Sequence, residues 1–417
     1  MVVRKKIDFT KSGLFYFFII VPFLQPANYV FPDIVNRVLD VWKLAAMALS
    51  LVIYLLRGKL SPFMITAVLF QLVIPVSTYF NPLSHGAEMK DALILTCTNI
   101  AVLIAAEIGL KMQPLKFVKT VAYYGGAMCL ITTATMFIYR TKGGMDQKQY
   151  MDVLGDVNFY FLGHDNRSYF IFIVIQLTVI ILSLVRYGKF SKSAWVFNVI
   201  VTAAFFYVRS ASAMVCLTLI WVYLLFFFNN KGSIMNFKVY FTVFFVFEVL
   251  IVFMNITSLF SFLITDVFHK SITMSGRTII WAKAKSYILK SFLIGYGREP
   301  MSVLLVKFGV NHVHNIFLEI LYTQGITGLV LYAAMLYICG QKLMKYKSNK
   351  IAAAASFIFF SFFICSVFDF YNTIPYTMLI YSFASNIDII INLCPQYKES
   401  ETKTINGESY VTNQKLT

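Results

Sequence analysis

The stretch "GLVLYAAMLYICGQKLMKYKSNKIAAAASFIFFSFFICSVF", residues 328–368, sets two apolar runs on either side of the basic decapeptide "QKLMKYKSNK". An apolar helix of about 20 residues crosses the hydrocarbon core of a bilayer, and a short loop rich in lysine stays on the cytoplasmic side. The stretch therefore reads as a transmembrane hairpin turned at the cytoplasmic surface. The rest of the chain repeats the pattern. Of the 417 residues 59% are hydrophobic and 13% charged, and the mean hydropathy is +0.72, far from the composition of a soluble globular domain. Apolar runs recur at 13–31, 38–56, 62–80, 92–110, 118–138, 168–185, 194–209, 212–228, 239–257, 315–338, 351–370 and 374–392. The expected fold is all-α: a polytopic integral membrane protein with about twelve transmembrane helices over residues 1–395. One long external loop is expected at about 258–313. A polar cytoplasmic tail follows at 396–417.

Charge sets the orientation. The first run follows Arg4, Lys5 and Lys6, but it is too long for a signal-peptide core and lacks a small-residue cleavage site, so it is read as retained with the N-terminus inside. Alternate connections are then basic: "RGK" (57–59), "KMQPLKFVK" (111–119), "RYGKFSK" (186–192), "NNKGS" (229–233) and 341–350. The connections between them, 81–90 and 144–168, mix signs or lean acidic. Both termini come out cytoplasmic. The net charge of +17 is largely positive-inside bias, which leaves membrane lipids rather than nucleic acid as the expected partner. One loop departs from the pattern: 258–313 holds Lys270, Arg277, Lys283, Lys285, Lys290, Arg298 and Lys307 against Asp266 and Glu299. That excess on the external side calls for an anionic ligand.

The six cysteines form no CxxC and lie in or beside apolar runs, so neither a disulfide framework nor a zinc site is expected. No phosphate-binding or dinucleotide glycine pattern occurs, and no cofactor or metal is expected.

All five histidines map to the external side in this topology. His85, His164 and His269 read as solvated loop residues. His312 and His314 differ, because they abut an apolar run in "NHVHNIFLEILYTQGITG" (311–328). A helix beginning near Val313 would put Asn315 and Glu319 four residues apart on one face, with the histidines at its positive end. A carboxylate about one turn inside a membrane helix is a candidate functional group. Arg209 sits in the tight turn "RSAS", placed either to snorkel or to clamp a phosphate bidentately. In the long loop, "SGRTIIWAKAKSYILKS" (275–291) has a helical apolar stripe. It reads either as an interfacial helix lying on the leaflet or as a support from which Arg277 and Arg298 descend towards a lipid pyrophosphate. Asp40 with Lys43, and Glu107 with Lys111, read as structural pairs; Asp388 lies near a helix end, and Glu248 has no evident role.

Three stretches, "SGRTIIWAKAKSYILKSFLIGYG" (275–297), "HNIFLEILYTQGITGLVLY" (314–332) and "RSASAMV" (209–215), give the chain a resemblance to the bacterial O-antigen polymerase and O-antigen ligase superfamily, which includes capsule and exopolysaccharide repeat-unit polymerases. The likeness covers about 195–335, and the first five runs match nothing beyond hydrophobicity. It implies a C-type membrane glycosyltransferase, metal-independent, acting on undecaprenyl-pyrophosphate-linked oligosaccharide at the external face of the bacterial cytoplasmic membrane. By resemblance Arg209 and Arg277 hold the pyrophosphate and His314 lies in the active site; His312 and Glu319 are added from spacing, with Asn315 as an orienting amide. The expected activity is polymerisation of repeat units, beside a flippase and a chain-length regulator as possible partners. The alternatives are ligase-type transfer to another acceptor and a lipid-linked oligosaccharide flippase or transporter.

Overall fold

A computed structural model of the chain describes residues 9–26, 31–142, 159–228, 235–256, 276–370 and 374–394. Arg4, Lys5, Lys6, the segment 229–233, His269, Lys270 and the tail 396–417 lie outside the described residues. The helices in chain order are α1 (Gly13–Ile20), α2 (Asp33–Arg57), α3 (Pro62–Phe80), α4 (Gly86–Met112), α5 (Pro114–Tyr139), α6 (Asp165–Tyr187), α7 (Lys192–Val208), α8 (Ala211–Val222), α9 (Phe237–Glu248), α10 (Arg277–Ile288), α11 (Met301–Phe308), α12 (Ile316–Lys345), α13 (Lys350–Phe368), α14 (Tyr376–Ser385) and α15 (Ile387–Ile391). Helices α8 and α9 each run on into a π-helical turn, Tyr223–Phe227 and Val249–Phe253. A two-residue hairpin, Phe159–Tyr160 with Gly163–His164, is the one β element among the described residues.

Seven of these helices, α2 to α6, α12 and α13, are long and apolar enough to cross a membrane, and Gly13–Phe23, α7 and Ala211–Phe227 are shorter apolar helices. The chain is an all-α multi-pass membrane protein. Each apolar run read from the sequence contains helix, but the first and last are interrupted, as is 315–338 at Gly325. The first tightens into a 3-10 turn at Val21–Phe23, where Pro22 supplies no N–H to an α-helical ladder. The last breaks at Asn386, whose amide donates to Ser382 O and to Glu107 Oε2, both at 3.0 Å.

The structural charge pairs form as expected, Lys43 with Asp40 at 3.3 Å and Lys111 with Glu107 at 2.5 Å, while Asp388 takes Lys342 at 2.6 Å. All six cysteines are free. Between helices in lipid the attraction comes from packing rather than from escape from water. Here it is largely aromatic: Phe244 stacks on Phe363 at 4.8 Å and Tyr223 on Phe357 at 4.5 Å, locking α9 and α8 against α13.

One break in a helix positions everything that follows. Helix α12 is interrupted at Gly325, which adopts φ 62° and ψ −164°. Only residues 346–349 separate α12 from α13, yet Asn315 reaches the backbone carbonyl of Val367 at 3.1 Å. At 1.5 Å per residue a straight α12 would carry Asn315 roughly 20 Å beyond Val367. The bend at Gly325 folds that excess back. It also frees backbone groups that lipid cannot satisfy, and the loop 292–297 takes them up. Tyr296 N donates to Tyr322 O at 2.8 Å and Gly297 N to Thr323 O at 2.7 Å, while Ile326 N and Thr327 N donate to Phe292 O and Leu293 O. A Cβ on Gly325 would meet the Leu293 carbonyl at 2.4 Å, and one on Gly297 would meet the backbone of Thr78 on α3 at 2.3 Å. The "GYG" of the loop is thus required by close approach to α12 and α3.

The long loop does not simply lie on a leaflet. Trp281, Ile280, Ala284 and Ile288 of α10 are buried against the bundle. Two of its lysines are used internally. Lys307 pairs with Glu299 at 2.9 Å and with the Tyr322 hydroxyl at 2.9 Å, and Lys285 donates to Val252 O at 2.6 Å at the end of the α9 π turn.

Candidate active site

Because α12 and α13 form a hairpin, the residues before Ile316 and after Phe368 meet at the end remote from the basic turn. There His312 Nε2 lies 2.8 Å and His314 Nδ1 3.2 Å from the same oxygen, Asp369 Oδ1. The two imidazole rings are 3.9 Å apart. A third donor, the Phe370 N–H, reaches that oxygen at 3.0 Å. His314 makes this possible by adopting a left-handed backbone, φ 56°, which turns the chain so that residues 312 and 314 present their rings to one point. Such a conformation in a non-glycine residue costs about 1–3 kcal/mol and is held only where surrounding contacts enforce it. The two other stretches singled out by sequence carry the same feature: Arg209 has φ 59°, and Gly276, which precedes Arg277, has φ 85°.

Electrostatics divides the three groups. Burial, reinforced by the neighbouring His314, pushes the His312 imidazole down to about 4 against the pull of Asp369, so it is neutral at pH 7. Burial alone would raise the Asp369 carboxyl, but His314 and His312 outweigh it and hold the group well below the usual carboxylate range. Asp369 is therefore a buried carboxylate, 1% exposed, accepting from both rings. With Nδ1 of His314 at that oxygen, its Nε2 makes no hydrogen bond to another of the described residues. The His314 side chain remains 18% accessible.

Arg277 stands directly beside the cluster. Its Nε donates to Phe368 O at 2.7 Å, and its charge acts on His312. Arg298 is held by its backbone, N to Thr78 Oγ1 at 2.9 Å, and its charge acts on Glu319. Arg209 makes no contact with the cluster, but it occupies the same level: α8 and α13 exchange contacts at Cys216 and Ser361, and Arg209 and Asp369 both lie about 10–12 Å further along. It is exposed on the turn between α7 and α8.

The expected stripe of Asn315 and Glu319 does not form. The helix begins at Ile316 rather than Val313, and Asn315 is its N-cap, accepting from Leu318 N at 3.0 Å. Its amide points away from the cluster, to Glu248 Oε1 at 2.7 Å and Val367 O at 3.1 Å. Asn315 is a fully buried brace between α9, α12 and α13, and Glu248 acquires its role as the acceptor of that brace. Glu319 turns back to the Val313 N–H at 2.9 Å, tying the histidine loop to the helix it precedes. Of the other histidines, His85 caps α4 and His164 lies in the β-hairpin.

Asp369 was not singled out by sequence. Its only signal was position, a lone acid ending the apolar run 351–370. The ligand atoms of His312, His314 and Asp369 lie within 4.8 Å of one another, and two imidazoles with one carboxylate also form a donor set that divalent transition metals accept.

No curated protein and no solved structure matches the chain. Residues 177–333 match the family model Wzy_C, described as O-antigen ligase. The match takes in the turn at Arg209, α10, the interlocked loop and the histidine stretch, and it ends before Asp369. That segment is consistent with the O-antigen polymerase and ligase superfamily and indicates a glycosyltransferase-like membrane protein.

Proposed function

We propose that the protein joins undecaprenyl-pyrophosphate-linked oligosaccharide repeat units into O-antigen, capsule or exopolysaccharide at the external face of the bacterial cytoplasmic membrane. The observation that carries this reading is the convergence of His312 and His314 on the buried Asp369 carboxylate, with Arg277 alongside, within and next to a ligase-family segment. In this scheme Nε2 of His314 takes the proton of the acceptor hydroxyl. The acceptor oxygen attacks the anomeric carbon from the side opposite the leaving group, the bond from that carbon to the pyrophosphate oxygen breaks, and configuration inverts. Asp369 holds the imidazole in the right tautomer and stabilises the imidazolium that forms. Guanidinium groups of Arg277 and Arg209 meet the charge on the departing pyrophosphate, where a fixed planar donor is worth most.

Positive charge from arginine makes a metal unnecessary in this scheme, so chelator should leave the rate unchanged; loss of activity on chelation, restored by a divalent metal, would reassign the cluster as a metal centre. The basic turn 341–350 at the far end of the hairpin supports an external site and cytoplasmic termini. A cysteine introduced at Ser84 should react with a membrane-impermeant thiol reagent on intact cells, whereas one at Ser191 should not. The deciding experiment is incubation of the purified protein with lipid-linked repeat units. A ladder of products establishes polymerisation, a single transfer to a different acceptor establishes a ligase, and no transfer at all rejects the reading. Passing partners, a flippase that delivers repeat units and a chain-length regulator, are part of the same proposal.

A further inference from the structure

The three side chains that converge before α12 and after α13 also form a donor set for an ion. His312 Nε2, His314 Nδ1 and a carboxylate oxygen of Asp369 all lie within 4.8 Å of one another. In a tetrahedral zinc site with bonds of about 2.0–2.1 Å, neighbouring donor atoms are about 3.3–3.4 Å apart. The two edges that end on Asp369 Oδ1 measure 2.8 and 3.2 Å, so they need to open by about 0.1–0.6 Å to admit the ion. The rings are 13% and 18% accessible and the carboxylate 2%. The cluster is therefore closed behind Asp369 and open past the two imidazoles, which leaves a fourth position for water.

A second observation, independent of those distances, is a shortage of protons. His312 Nδ1 faces Asn311 Oδ1 while its Nε2 faces Asp369 Oδ1. Both oxygens can accept but not donate, and an uncharged imidazole carries one N–H. Whichever nitrogen holds it, the other sets a lone pair against an oxygen. A cation between Nε2 and Asp369 Oδ1 resolves the conflict. The N–H then goes to Asn311 Oδ1, the kind of outer partner that a metal-bound imidazole commonly has.

We propose that His312, His314 and Asp369 form a reversible inhibitory site for a transition-metal dication of the zinc class. Two nitrogen donors and one carboxylate suit zinc, cobalt or nickel, whereas magnesium and calcium favour all-oxygen sets. The metal site stands on the geometry; its inhibitory effect rests on the transferase reading above. In that reading Nε2 of His314 takes the proton of the acceptor hydroxyl. With Nδ1 bound to a metal, a neutral His314 carries its own proton on Nε2, which then has no lone pair to accept another. The same ion takes up the Asp369 charge that would stabilise an imidazolium. Arg277, tied to Phe368 O beside the cluster, repels a dication and keeps its binding reversible.

The test uses the full-length protein in detergent, stripped of metal with chelator and then freed of the chelator. Cys97 and Cys394, the two cysteines that are not buried, are changed to serine so that no accessible thiolate competes. Cobalt(II) is the probe. One equivalent should give the visible absorption of a four-coordinate nitrogen and oxygen site, which zinc should bleach and magnesium should not. His312→Gln should lose the band. Asn311→Ala, at a half-buried loop position that supplies no proposed ligand, should weaken cobalt binding by about 10–100-fold. Should a variant fail to fold, the parent protein still decides, because zinc should shield His312 and His314 from diethyl pyrocarbonate, read by peptide mass, and raise Tm. With lipid-linked repeat units, saturating zinc should lower chain growth by about 10²–10⁴-fold, the contribution of a general base, and chelator should restore it. Absence of both the cobalt band and the shielding overturns the site and leaves the transferase reading standing. Binding without inhibition overturns the inhibitory role, as does chain growth that requires zinc. If neither the stripped nor the zinc-loaded protein transfers sugar, the transferase reading fails, and the cobalt titration still decides the metal site.

Discussion

The two ends of the α12–α13 hairpin treat carboxylates differently. At the basic-turn end, Glu107 and the half-buried Asp388 each meet a lysine, at 2.5 and 2.6 Å, and Glu107 also takes the Asn386 amide that marks the break of the last helix. At the other end, Asp369 meets two imidazoles, Glu319 a backbone N–H and Glu248 an asparagine amide. A flexible ammonium neutralises a carboxylate from many directions and fixes little. An imidazole or an amide must be held at one angle, and in return it is oriented. The first kind of pairing anchors helices, and the second aims groups. Glu299 with Lys307 is the exception that fits the rule, since that pair clamps the loop 292–308 rather than aiming a group at the cluster.

The comparison breaks first at His314. If the site end aims a base, His314→Ala should lower chain growth by about 10²–10⁴-fold with protein level unchanged, as measured by product ladders, and His312→Ala should be milder. Equal and small effects of both would make the site end no different from the basic end. Asp369→Asn keeps the hydrogen-bonding shape and removes the charge, and it should cost roughly a hundredfold through misplacement of the rings. A pH–rate profile sharpens this outcome. Asp369 raises the His312 imidazole, so without its charge His312 stays neutral to still lower pH, and any acid limb due to His312 moves down. Arg277→Lys retains positive charge but loses the guanidinium geometry, and it should cost about 1.5–3 kcal/mol, or ten- to a hundredfold in rate.

Stability responds in the same sense. The His312 imidazole titrates at about 4 in the folded protein against 6.5 as its ordinary value. Between those values the unfolded chain binds a proton that the folded chain does not, so folding weakens as pH falls through that window and is unaffected by His312 above it. Thermal melts in detergent at pH 7 and pH 5 should differ less in His312→Gln than in wild type; an unchanged difference would place the sensitivity elsewhere. The smallest effect is expected at the basic end. Lys342 is 39% accessible in its pair, and Lys342→Ala should change stability by no more than about 1 kcal/mol and leave transfer unchanged.

Legibility followed spacing along the chain. Asp40 with Lys43 and Glu107 with Lys111 are readable because the partners lie three or four residues apart on one helix, whereas Lys342 and Asp388 are 46 residues apart and no local spacing links them. The cluster was half readable. His312 and His314 stand out in an apolar context, but Asp369 lies 55 residues from His314, and no local spacing links them. Asn315 is misplaced for a related reason: a helix start set three residues early, at Val313 rather than Ile316, puts Asn315 on a helical face instead of at the cap, and the left-handed turn at His314 that delays the start leaves no mark in a histidine's composition.

By itself the sequence determined that this chain crosses a membrane many times, because apolar length and lysine placement are additive properties of consecutive residues. It also marked Arg277, His312 and His314 as residues out of keeping with lipid. Only the tertiary structure decided what they face. The break at Gly325 brings the start of α12 back to the level of Val367, the loop 292–297 satisfies the backbone groups the break exposes, and the two imidazoles then share one carboxylate from another helix. Those decisions rest on contacts between residues far apart in the chain, whose geometry no pattern of near neighbours encodes.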